Sequence, residues 1–81
     1  MRTNVGYAQL IPMVQGVLDT LDSGIEAEQD AAAGLGNLAR AMGNGQSEGE
    51  KALLQASRQH AIKAMQMRAK RAALLTQYGL S

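Results

Sequence analysis

The chain has 81 residues, no cysteine, no tryptophan or phenylalanine, and two tyrosines. A chain this short allows one small domain with a thin core, and the lack of cysteine excludes disulfides and thiolate metal sites. The formal charge of +1 hides a division: residues 1–50 hold Arg2 and Arg40 against all seven acids, −5 in all, while residues 51–81 hold six bases and no acid, +6.

The first stretch, Thr3 to Leu18, carries no charge. Gln9, Pro12 and Gln15 interrupt it, and no small-residue cleavage site follows at signal-peptide spacing. Nothing in the chain approaches the ~20 consecutive apolar residues of a membrane span. Stepping alternately by four and three from Tyr7 passes Ile11, Val14, Leu18, Leu21, Ile25, Glu28, Ala32, Leu35, Ala39 and Met42, an apolar stripe that only Glu28 breaks. Pro12 disfavours a helix interior and pushes Ile11 toward extended backbone. The pattern therefore predicts a main helix over 12–42, with residues 1–11 as an N-terminal arm or short helix set at an angle.

Gly43-Asn44-Gly45 is a strong helix stop. Ser47 with Glu50 three residues later reads as a capping box. The spacing predicts a turn over 43–47 and a second helix over 48–78, with Gly79 as its C-terminal stop and its late basic residues suited to the negative end of the helix dipole. A short loop between two long helices gives an antiparallel helical hairpin, an all-α fold. With the turn centred near residue 46, facing residue numbers add to about 92. That register sets the acids of 19–30 against Lys63, Arg68, Lys70 and Arg71, and predicts charge pairing across the hairpin. The pole away from the turn is neutral and apolar, with Tyr7, Leu10, Ile11, Leu74, Leu75 and Tyr78 near it.

Few residues suggest chemistry. His60 is the single histidine; on the wheel it falls at the edge of the apolar arc, where one hydrogen bond would satisfy it. One histidine and scattered carboxylates do not make a metal set. Gly34-Leu35-Gly36-Asn37-Leu38-Ala39 matches a G-x-G-x-x-A string, but a phosphate loop needs a preceding strand, and the residues before it continue a helical pattern. The glycines at 16, 24, 34 and 36 fit close helix approach better. No nucleophile–base pair stands out, so no catalytic residue and no cofactor is expected. Glu28 on the apolar stripe, with Arg68 and Arg71 within the other helix's apolar arc, suggests either an interfacial pair that fixes register, Glu28 with Arg68 or with an arginine of a neighbouring subunit, or three side chains that snorkel to the edge.

Both helices have apolar arcs of about half a turn, wider than a two-helix contact covers. The expectation is a non-enzymatic structural subunit of a larger oligomer, associating with itself or with other assembly proteins. Tyr7, Leu10, Ile11, Glu28, Arg68, Arg71, Leu74, Leu75 and Tyr78 are the candidate interface residues. Small cysteine-free hairpins of this layout occur among virion components and secretion-apparatus subunits, an analogy of layout alone. The alternative is a small regulator or adaptor whose basic second helix binds nucleic acid or an acidic protein. Against nucleic acid, the bases do not gather on one face and no aromatic residue lies among them. A membrane role has no basic rim to support it. The sequence assigns no compartment.

Overall fold

The structure is a computed structural model that describes residues 5–43 and 47–79, with side chains from Ile11 onward. It consists of two helices packed side by side, α1 over Val5–Met42 and α2 over Glu48–Gln77. Neither helix is long and apolar enough to cross a membrane. The hairpin measures 63 × 15 × 14 Å, with a radius of gyration of 18.3 Å. A globular chain of this length would have a radius near ~12 Å, so the molecule is a rod.

The expected break at Pro12 is not there. α1 starts at Val5 and runs through Pro12 without interruption. Proline removes one helical hydrogen bond, the one to the carbonyl four residues back. The cost is confined to one turn, and the apolar period keeps its phase across it: Tyr7, Ile11, Val14 and Leu18 retain the spacing of four, three and four. Packing of a continuous stripe outweighs the local preference of the residue before proline.

The turn follows its local signals where it is described. Gly43 has φ +144°, a backbone region that side chains rarely adopt. Asn44, Gly45 and Gln46 lie outside the described residues. Ser47 is the N-cap of α2: its backbone is extended, and its hydroxyl accepts a hydrogen bond from the Glu50 amide at 3.1 Å. Glu48 and Glu50 lie in the first turn, where the positive end of the helix dipole favours them. Glu50 is 4% exposed and tucks under the turn, its Oε1 lying 3.7 Å from where a Cβ on Gly43 would be. At the other end, Tyr78 is the C-cap and Gly79 follows with φ +68°, so the glycine stop sits one position beyond the cap. No base lies in the last turn of α2. Arg71, the nearest, is too far back for the dipole to matter.

The register agrees with the expected one. Asp22 meets Arg71, Gly24 meets Met67, Glu28 meets His60, Ala32 meets Ser57 and Gly43 meets Glu50, all near a sum of about 92. The core between the helices is small. Among the described residues the buried apolar ones are Val14, Leu18, Ile25, Ala39 and Ala64. The three larger ones contribute about 1.5–3 kcal/mol each, and the alanines less.

Two glycines of α1 face α2 across the seam. A Cβ on Gly24 would come within 2.9 Å of Met67 Sδ, so Met67 packs directly over bare backbone. Gly36 is buried, and a Cβ there would lie 3.5 Å from Ser57 Oγ. That is ordinary contact distance, so a Cβ would fit; beside it Ser57 reaches across and donates a 2.7 Å hydrogen bond to the Ala32 carbonyl. Gly16 and Gly34 differ: nothing lies within 4 Å of a Cβ at either. Close approach within the hairpin therefore requires glycine at one of the four expected positions, Gly24.

Two stability tests follow. Ser47→Ala should cost about 0.5–2 kcal/mol, because it removes a helix cap, and Gly43→Ala should cost about 1 kcal/mol or more, because alanine is strained at that φ. Urea unfolding followed by circular dichroism reads both. Gly34→Ala should instead stabilise the hairpin by roughly 0.5–1 kcal/mol, since it gains helix propensity and meets nothing.

Candidate functional site

The polar contacts of the hairpin lie along its seam. α1 presents Glu28 toward α2, and His60 meets it: Nδ1 of His60 donates to Oε1 of Glu28. The side chains are 20% and 33% exposed, half withdrawn from solvent. This resolves the break in the apolar stripe. Glu28 pairs with His60 and not with Arg68, because Arg68 stands eight residues beyond His60, some 12 Å further along α2. Arg68 is exposed. The lone histidine serves at the core edge, with one carboxylate as its partner.

Arg71 does reach the first helix. Its Nε donates to Oδ1 of Asp22 at 2.6 Å, with both side chains partly exposed. The wider pairing of acids with bases across the hairpin does not form. Among the described residues the ion pairs are Asp22–Arg71, Glu28–His60 and a local Glu48–Lys51 contact at 3.8 Å. Arg58, Lys63, Arg68 and Lys70 have no carboxylate within pairing distance among those residues. The reason is angular. Asp19, Glu26 and Asp30 share one exposed side of α1, turned about 90° or more from the contact line at 100° per residue. Axial proximity alone does not make a pair.

The neutral pole is built from Ile11, Leu74, Leu75 and Tyr78, all half-buried, around the buried Val14 and Leu18. The side chains of Tyr7 and Leu10 lie outside the described residues. The pole's described residues are thus partly spent on the hairpin itself. The conspicuous apolar surface is elsewhere. Met13 is 68% exposed, Val17 50%, Leu38 52% and Met42 51%, all on one flank of α1. Ile62 and Met65, 48% and 59% exposed, lie on the outward side of α2. These six residues were not singled out by sequence reasoning as a site. The width of the apolar arcs was the signal, and the register shows which part of each arc stays uncovered.

The most evident surface depression is an open groove along the first turns of α2, lined by Glu48, Lys51, Ala52, Gln55, Ala56 and Gln59. One helix forms it, so it has no opposing wall. Among the described residues no three His, Asp or Glu side chains converge as a metal site requires. The G-x-G-x-x-A string lies wholly inside α1 with helix before it, which leaves no strand-to-helix turn to cradle a phosphate. Comparison with protein-family models, curated proteins and solved structures finds no match to this chain.

The seam contacts differ in weight. A double-mutant cycle on Glu28→Ala and His60→Ala should give a coupling of about 1 kcal/mol, as for a partly buried charge-assisted bond. The same cycle on Asp22 and Arg71 should give at most ~0.5–1 kcal/mol, since both are screened by solvent. Reversal of Asp19 or Glu26 to Lys should change hairpin stability by less than ~0.5 kcal/mol, measured at low salt. A larger loss would show that these acids do pair across the hairpin.

Proposed function

We propose that the chain is a non-enzymatic structural subunit that works in an assembly of several chains. The observation that carries this reading is surface. The accessible area is 5645 Å², whereas a globular monomer of 8.6 kDa exposes about 4,700 Å². The excess, roughly 900 Å², matches one partner's share of a standard protein–protein interface, about 800 Å². The excess includes large apolar side chains, which an isolated rod gains nothing by displaying. A virion component or a subunit of a secretion apparatus would use a hairpin in this way, as a stave in a larger wall.

A second reading has one observation in its favour. Arg58, Lys63, Arg68 and Lys70 are exposed and unpaired among the described residues, so they are available to an acidic partner. An adaptor that binds nucleic acid or an acidic protein through α2 would use them. Their spread around the helix and the lack of an aromatic residue among them weigh against nucleic acid.

Val17→Glu combined with Leu38→Glu tests the first reading. Both positions are half-exposed, so the hairpin should keep its helicity while light scattering reports a fall in mass relative to the unmodified chain. Equal masses for the two proteins would count against assembly through this flank. Binding of random-sequence DNA that weakens steeply with salt would favour the adaptor.

A further inference from the structure

The acids left over from the hairpin lie on one outer side of α1, whereas the bases left over, Arg58, Lys63, Arg68 and Lys70, are spread around α2. On α1, Asp19, Glu26 and Asp30 are exposed and fall on one side of the helix, spaced seven and four apart. Beside them runs a strip of small exposed residues, Gly16, Ser23, Ala27 and Gly34. On α2, Arg58, Lys63 and Lys70 are exposed, around an outward strip that includes Ile62, Met65 and Ala69. Neither set is used inside the hairpin.

We infer that the outer edge of α1 docks against the outer edge of α2 in a second copy of the chain, head to tail. This rests on the assembly reading above and names its geometry. Three observations support it. The outer side of α1 is acidic and α2 beyond its first turn carries only basic charge, so these unlike surfaces attract and like ones repel. A two-fold contact of α1 with α1 would set Asp19, Glu26 and Asp30 against their own copies, and a contact of α2 with α2 would do the same with its bases. Next, Gly16 and Gly34 weaken α1 with no contact inside the hairpin to explain them. Their bare backbone gives a neighbouring helix room to approach, with side chains such as Ile62 and Met65 filling the space. Last, the α1 strip is made of small residues where the α2 strip carries the large Ile62 and Met65, so each supplies what the other lacks. A contact between unlike edges leaves a free edge at each end, and it continues into rings or filaments.

The lack of cysteine makes a direct test possible. Ser23→Cys marks the α1 edge and Ala69→Cys marks the α2 edge, both at exposed positions. A bismaleimide should join the two variants when they are mixed and should give little product with either alone. Adding Asp19→Lys, Glu26→Lys and Asp30→Lys to the Ser23→Cys chain should abolish the mixed product. Adding Arg58→Glu, Lys63→Glu and Lys70→Glu to its partner should restore it. Circular dichroism on each variant separates a lost contact from a lost fold. Efficient joining of either variant to itself would overturn the head-to-tail arrangement. A mass that rises with concentration while no mixed product forms would also overturn it, yet would leave assembly standing. A monomeric mass at every concentration would remove both. Joining that occurs only in the presence of heparin would assign the basic edge to an external polyanion and overturn the proposal.

Discussion

Two helices in contact can cover only one strip of each other, and the rest of the structure follows from that limit. Each helix here carries apolar residues around about half its circumference. The contact uses Val14, Leu18, Ile25 and Ala39 on α1 and Ala64 on α2, and it leaves Met13, Val17, Leu38, Met42, Ile62 and Met65 in water. The two described helices thus form a long, thin rod that is apolar on its flanks. A core this small yields little surplus over chain entropy. Association would add to stability by mass action as well as cover the flanks.

The seam compensates for its thin core by close approach and by satisfied polar groups. Met67 packs over the bare backbone of Gly24, and Ser57 donates to the Ala32 carbonyl across the seam. Glu28 is matched by His60, and among the described residues no buried side-chain oxygen or nitrogen lacks a partner. These contacts fix register more than they add stability, because a slip of one turn would part Glu28 from His60 and Ser57 from Ala32 together. The charge division plays a smaller part in the hairpin than its size suggests. One pair, Asp22 with Arg71, crosses at the surface, and most of the remaining charge faces outward.

Much of this was legible in the residues. The spacing from Ile11 to Met42, the Gly43 stop and the Ser47 cap pointed to both helices and their register, because each is a local signal with a fixed geometry. Pro12 misled, since its local preference was outweighed by a stripe that holds its phase from Tyr7 to Leu18. The partner of Glu28 was missed because Arg68 was chosen by charge; the register set Glu28 opposite Ala64, one turn from both His60 and Arg68, and did not decide between them. Ser57 went unnoticed for a related reason: a small polar residue on a helix has no signal until the glycine opposite it is placed. The pairing of acids with bases was overdrawn because numbering gives axial position and not the direction around each helix.

The account depends on the uncovered flanks being met by other copies. Sedimentation equilibrium of the unmodified chain over a wide concentration range, at low and at high salt, measures that most directly. The account predicts a weight-average mass that climbs above the 8.6 kDa of one chain and falls back as salt screens the charged edges. A mass that stays at one chain throughout, at low salt and high concentration alike, would contradict it.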